Sequence, residues 1–232
     1  MKVGTDGTLL GTWVDVAKVR RILDVGTGTG LIALMLAQRT QRPAGESAPL
    51  HAVEIDAVEI DVAACEQAQE NIGRSPWCDR IQVYPGSIQA YVERCDRKYD
   101  LIVANPPFFE NVSKAKGQAR TVARHNDSLS QADLLQVAVQ LLQENGRFAV
   151  IYPCEEAQRF QEKAIAAGFF CQQLLSVRPT VQGPTKRILM EFSQKEVSDR
   201  KHTRHQQIAI EQAPKQYTDD FIALIQDFYL KY

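Results

Sequence analysis

Short apolar runs alternate with helix-forming stretches along most of this chain, and that alternation restricts its fold more than any single motif. Arg21-Ile22-Leu23-Asp24-Val25 reads as a strand that stops at glycines. Leu31 to Arg39 sets Leu31, Leu34, Met35 and Gln38 at helical spacing. A second strand lies within Ala52 to Ile60, and a helix follows from Asp61 to about Ile72. Arg80 to Tyr84 and Tyr99 to Ala104 supply the third and fourth strands. Ser128 to Glu144 is the strongest helix, with Leu135, Ala138, Val139 and Leu142 on one stripe and Gly146 soon after its end. Phe148 to Tyr152 is a fifth strand, Glu155 to Ala167 a helix closed by Gly168, and Phe170 to Val177 and Arg187 to Phe192 are two more strands. Such alternation predicts a doubly wound, seven-stranded, mostly parallel α/β sheet. Only Pro179, Gly183, Pro184 and their neighbours separate the last two strands. No helix fits there, so the last strand should be antiparallel. Thr40 to Pro49 reads as a loop, Ser193 to Lys215 as a polar and mobile connector, and 217–230 as a closing amphipathic helix. At 232 residues the chain suits a single domain spanning 1–232.

Composition removes several functions. Lys and Arg number 27 against 28 Asp and Glu. No global field draws the chain to nucleic acid, and any such binding must rest on local patches. Cys65, Cys78, Cys95, Cys154 and Cys171 are odd in number and form no CxxC pair, which predicts reduced thiols in a cytoplasmic protein. His51, His125, His202 and His205 lack metal-like spacing, so no metal is expected. No apolar stretch approaches membrane-spanning length, and Met1 to Asp6 is not a signal peptide.

The first strand runs into Asp24-Val25-Gly26-Thr27-Gly28-Thr29-Gly30, just before a helix. Ligands of doubly wound sheets bind at such strand ends, where glycines admit a ligand close to backbone. A dinucleotide fingerprint requires G-x-G-x-x-G, but here the third glycine arrives one residue early and Leu31 takes its place. Nicotinamide cofactors are therefore disfavoured. Asp24 adds a carboxylate that suits a cationic, phosphate-free ligand, and S-adenosylmethionine meets both conditions. A ribose wants an acidic residue at the end of the second strand. Two are offered, because Ala52-Val53-Glu54-Ile55-Asp56 is repeated at once as Ala57-Val58-Glu59-Ile60-Asp61. Glu59 is favoured over Glu54 because a helix starts directly after it. After the third strand, Ser87 offers one uncharged hydrogen bond or a helix cap.

Asn105-Pro106-Pro107-Phe108 closes the fourth strand and points to the reaction. An Asn amide has one acceptor and two donors, and the carbonyls of Asn105 and Pro106 are free to accept. An aromatic ring follows immediately. This corner suits a planar, amino-bearing group held by carbonyl oxygens and covered by Phe108. Lys114, Lys116, Arg120, Arg124 and His125 come next, and Lys186-Arg187 lies between the last two strands. Both loops should open on the pocket edge. Arg200 to His205 is basic as well.

The order Asp24, Gly26-Thr27-Gly28-Thr29-Gly30, Glu59 and Asn105-Pro106-Pro107-Phe108 resembles a Rossmann-like class I S-adenosylmethionine-dependent methyltransferase of the amino-nitrogen type. Lys2-Val3-Gly4-Thr5-Asp6-Gly7, Gly30 to Arg39, Pro184-Thr185-Lys186-Arg187 and the closing Asp227 to Tyr232 are similar to one bacterial family, the tRNA(Val) adenine-37 N6-methyltransferases. The resemblance implies that Gly26, Thr27, Gly28 and Gly30 surround the methionine part of the cofactor, with Asp24 near its ammonium and Glu59 on the ribose. Lys2, Gly4, Thr5, Ile60, Ser87 and Asn105 complete the implied cofactor site. Asn105, Pro106, Pro107 and Phe108 would hold the target adenine of a tRNA anticodon loop. Lys114, Lys116, Arg120, Arg124, Lys186 and Arg187 would contact the RNA. The family carries a segment ahead of the Lys-Val-Gly-Thr-Asp string, and here that segment, part of the wall over the cofactor, is expected to be absent. A protein-glutamine N5-methyltransferase, an rRNA guanine N2-methyltransferase and a non-enzymatic RNA-binding module are the competing readings.

Overall fold

The computed structural model describes residues 4–41, 52–107, 129–195 and 203–229. Along the chain, α1 (Thr5–Trp13), β1 (Arg21–Val25), α2 (Leu31–Arg39), β2 (Glu54–Glu59), α3 (Val62–Gly73), β3 (Ile81–Pro85), α4 (Ile88–Val92) and β4 (Tyr99–Ala104) come first. They are followed by α5 (Gln131–Leu141), β5 (Leu142–Pro153), α6 (Cys154–Ala166), β6 (Phe170–Thr180), β7 (Arg187–Ser193), β8 (Arg204–Ala213), β9 (Gln216–Tyr217) and α7 (Asp219–Ile225). One sheet contains all the described strands, in the order β3-β2-β1-β4-β5-β7-β6-β8-β9.

β1 to β5 pair in parallel, and β7 enters antiparallel between β5 and β6, as the short connection required. Strand direction decides where a site can form. The carboxyl ends of β1, β2, β3 and β4 open on one edge, and the β6–β7 loop opens on that edge too, because Pro153 of β5 faces Arg187 of β7. Helices cover both faces, so the central strands are apolar nearly throughout. Ile22, Ile55, Leu101 and Val103 face a cluster containing Leu9, Leu10, Leu36, Ile72 and Phe221. Leu23, Val58, Ile102 and Phe148 face a second cluster with Leu134, Leu141 and Phe160.

Several expectations change. The helix read over Ser128 to Glu144 ends at Leu141, and Leu142 already belongs to β5. The described sheet has nine strands, not seven, because β8 forms where a mobile connector was expected and pairs in parallel with β6. Its first half is exposed and polar, so the run lacks a strand's usual alternation. Residues 196–202 of that connector lie outside the described residues. The helix α1 had no periodic signal because Gly7 to Thr12 are all buried, which erases any polar stripe. The closing helix is shorter than expected: Thr218 caps it by accepting from Phe221 N, and it ends at Ile225. Other ends match local chemistry. Asp61 caps α3 through Ala64 N, and Ser130 forms a capping box with Asp133 at the start of α5.

Candidate active site

The carboxyl edge begins with the glycine corner after β1. Gly26, Gly28 and Gly30 have φ of 71°, 60° and 82°, a left-handed region that a side chain resists. Their surroundings differ. Among the described residues, a Cβ on Gly26 or Gly28 would meet nothing within 4 Å. A Cβ on Gly30 would lie 3.3 Å from Ile72 Cδ1 and 3.5 Å from Ala68 Cβ, so this glycine lets α2 pack closely on α3.

The two carboxylates of this corner behave differently. Glu59 ends β2, and its Oε2 accepts from Gly28 N at 2.7 Å while Oε1 accepts from Asp61 N at 2.9 Å. It therefore fixes the glycine corner to the head of α3. Glu54, the rival in the repeated string, opens β2 at the opposite end and pairs with Arg21 and Arg97. Asp24 is fully buried. Its Oδ2 accepts from Thr27 Oγ1 at 2.6 Å and Ala33 N at 3.2 Å, whereas its Oδ1 has no hydrogen-bond partner among the described residues. Burial pushes the Asp24 carboxyl up to about 7; the bonds from Thr27 and Ala33 oppose this, and the Glu59 charge adds to it. An unmet acceptor in a buried carboxylate calls for a donor, best a cationic one.

Asn105 directly follows β4 and is half-buried, Pro106 is buried and Pro107 is exposed. The first turn of α1 reaches this corner: a Cβ on Gly7 would lie 3.8 Å from Asn105 Nδ2 and 3.3 Å from Leu31 Cδ2. Gly4 is the N-cap of α1 and Thr5 its first residue. Ile60, just past Glu59, keeps an apolar side chain 49% exposed. Ser87 caps α4 by accepting from Ala90 N, which leaves its O–H as a donor. It lines a cavity of about 270 Å³ with Val58, Tyr84, Gly86 and Tyr91. Lys186 is exposed in the β6–β7 loop. Lys2, Phe108, Lys114, Lys116, Arg120 and Arg124 lie outside the described residues.

The chain matches the family model of the methyltransferase small domain over residues 2–166. It is 58% identical, over all of this chain and 92% of the relative, to a tRNA1(Val) (adenine(37)-N6)-methyltransferase of Trichodesmium erythraeum (strain IMS101). The chain belongs to the tRNA1(Val) (adenine(37)-N6)-methyltransferase family. A second member, from Serratia proteamaculans (strain 568), is 42% identical over the whole chain and 85% of its own length. Among solved structures, a predicted O-methyltransferase from Agrobacterium tumefaciens overlays with a TM-score of 0.63 at 18% identity, covering 96% of each chain, and so shares the fold.

Reading this methyltransferase from sequence missed one pair at the site. Arg187 Nε donates to Asp6 Oδ2 at 2.7 Å, across a separation of 181 residues. Both residues stand in strings that carried the resemblance, but nothing in either string announces the other. Among the described residues no group of His, Cys, Asp and Glu is gathered for a metal, and no helix is long and apolar enough to cross a membrane.

Proposed function

We propose that this methyltransferase methylates the exocyclic N6 amino group of an adenine in tRNA, adenine-37 of the tRNA(Val) anticodon loop, using S-adenosyl-L-methionine. The observation that carries the reading is the half-buried Asn105 amide on the same sheet edge as the unmet Asp24 oxygen and the open glycine corner. These residues fit the cofactor. Asp24 has an acceptor to spare for its ammonium, the space beside Gly26 and Gly28 admits its methionine part, and Gly30 closes the corner. Thr27 acts through Asp24, to which its hydroxyl is committed. Glu59 accepts from the ribose with lone pairs left by Gly28 and Asp61, Ile60 covers the adenine, and Ser87 donates to it. Lys2, Gly4 and Thr5 complete the wall. When bound, the cofactor supplies an electrophilic methyl group on a sulfonium.

The protein then needs to present a nitrogen. An aromatic amino group is a poor nucleophile because its lone pair is delocalised into the ring. The carbonyl oxygens of Asn105 and Pro106 accept from its two N–H bonds, pull the nitrogen toward tetrahedral geometry and localise the lone pair. Pro107 stiffens the turn, and Phe108 stacks on the base. Positioning is the main contribution, and because the proton leaves after transfer, no general base is required. An anticodon loop exposes its bases at little unstacking cost. Lys114, Lys116, Arg120, Arg124 and Lys186 contact its phosphates, whereas the Arg187 guanidinium is engaged by Asp6. Residues 1–232 act as one catalytic domain in the cytoplasm, where tRNA is available. Tritiated methyl transfer tests this directly. Label should enter unmodified tRNA and comigrate with N6-methyladenosine after digestion. Label confined to protein, or to guanine N2 of rRNA, would overturn the reading.

A further inference from the structure

Asp6 and Arg187 have no part in the chemistry above, although each belongs to a string that marks the family. Their contact is well formed, with side-chain exposures of 22% and 34%. Asp6 lies in the first turn of α1, and Arg187 opens β7 opposite Pro153. No side chain caps α1, because its N-cap is Gly4, so the Asp6 carboxylate also meets the positive end of the helix dipole. At the other end of α1, Arg39 Nη1 donates to Gly11 O at 2.8 Å and Val14 O at 2.7 Å. A Cβ on Gly11 would sit 2.9 Å from Met35 Sδ, so α1 is pressed onto α2 there. The helix is therefore held at both ends, and the residue after Asp6 is Gly7, at which an added Cβ would stand 3.8 Å from the Asn105 amide nitrogen.

We propose that the Asp6–Arg187 ion pair is a positioning device for the methyl-transfer step. It fixes the first turn of α1 so that Gly7 keeps the Asn105 amide nitrogen on the α1 side and its carbonyl oxygen available to the substrate amino group. Arg187 acts through Asp6 and not on an RNA phosphate. The inference rests on the role proposed for Asn105. Arg187 also donates through Nη1 to Lys186 O at 3.1 Å, so removing Asp6 takes away the carboxylate and not that bond; removing either partner breaks the ion pair and frees the first turn of α1.

The test compares Asp6→Asn, Arg187→Gln, the double variant and Arg187→Lys in the full-length protein. Methylation kinetics on tRNA, tRNA affinity, the thermal midpoint and the side-chain amide NMR signal of Asn105 (assigned by its loss in Asn105→Ala) are all read. Each single charge-removing variant should lower kcat by about tenfold, the scale of a small misplacement of a reacting group. KM and tRNA affinity should stay within about twofold, as expected for a residue that acts only on the chemical step. The double variant should be no worse than the worse single variant, and Arg187→Lys should recover most of the loss. Both single variants should shift the Asn105 amide signal in the same direction. Additive losses in kcat, or an Arg187→Gln variant that weakens tRNA binding while Asp6→Asn behaves as wild type, would overturn the proposal. If the wild-type protein does not methylate tRNA, the substrate reading fails by itself. The NMR arm still decides the positioning role, which an unmoved Asn105 signal would refute.

Discussion

The two ends of the parallel strands treat their polar groups in opposite ways. Toward the amino ends and the middle of the strands, demand is met. Asp56, 3% exposed, accepts from Tyr99 Oη at 2.6 Å and Tyr91 Oη at 3.0 Å, and Arg97 stands 3.6 Å away. Asp100 accepts from the backbone of Arg20 and Arg21, and Glu54 pairs with Arg21 and Arg97. At the carboxyl ends, demand is left open: Asp24 keeps an unpartnered oxygen, three glycines hold left-handed backbone, and Asn105 is only half-buried. A buried acceptor without a donor costs about 1–3 kcal/mol; the other one among the described residues, Glu191 Oε2, has Arg147 Nη1 3.9 Å away, whereas no such cation stands beside Asp24. Asp24 and Asp56 make the contrast sharpest, because they sit on neighbouring strands, with Asp56 in register with the residue just before Asp24.

Substitutions at the two ends should therefore separate activity from stability. The largest effect is expected for Asn105→Ala, with single-turnover methyl transfer falling by about 10²–10³-fold and cofactor affinity by calorimetry nearly unchanged. Near wild-type transfer would remove Asn105 from the chemistry. Asp56→Ala should behave in the opposite manner, losing about 3 kcal/mol in denaturant unfolding because Tyr91, Tyr99 and Arg97 lose their common acceptor. The fraction that stays folded should turn over normally. Asp24→Asn should leave the thermal midpoint unchanged or raised, since no charge need then be buried, while cofactor affinity drops about tenfold or more. If Asp24→Asn unfolds the protein as readily as Asp56→Ala, the contrast between the two ends fails.

Titration sharpens the same contrast. The Asp24 carboxyl is raised from 3.8 to about 7 in the folded protein. Between those values the native state holds a proton that the unfolded chain has released, so the group's contribution to stability declines as pH rises through that window. Cofactor affinity should move the other way, rising by roughly tenfold from pH 5.5 to 7.5 as the carboxylate forms and pairs with the ammonium. Calorimetry in buffers of different ionisation enthalpy should detect the released proton, and Asp24→Asn should abolish both trends. The smallest effect is expected for Tyr99→Phe, about 1 kcal/mol of stability, because Asp56 retains Tyr91 and Arg97.

Most of the sheet was legible because its strands and helices carry their own periodicity. Leu31–Arg39 matches the predicted helix, and Tyr99–Ala104 matches the predicted strand. The glycine corner could be located because only a tight strand-to-helix turn uses three glycines in five residues. Strand direction separates the two glutamates of the repeated Val-Glu-Ile-Asp string: Glu54 opens β2 and Glu59 ends it at the carboxyl edge. Other features were illegible for physical reasons. A helix buried all round, such as α1, shows no stripe, and an exposed polar strand such as β8 resembles a loop. Asp6 and Arg187 meet only because the antiparallel β7 starts at the edge where α1 begins. That proximity belongs to topology, which local sequence does not encode.

The bond between Tyr99 and Asp56 joins the first residue of β4 to the middle of β2, across the intervening β1. From Tyr99 to Asn105 the chain advances about 20 Å as extended backbone. β4 thus works as a ruler clamped at its zero mark. A slip of one residue would send the Asn105 side chain to the opposite face of the sheet, so the tyrosine at the foot of the strand helps decide which way the Asn105 amide is aimed.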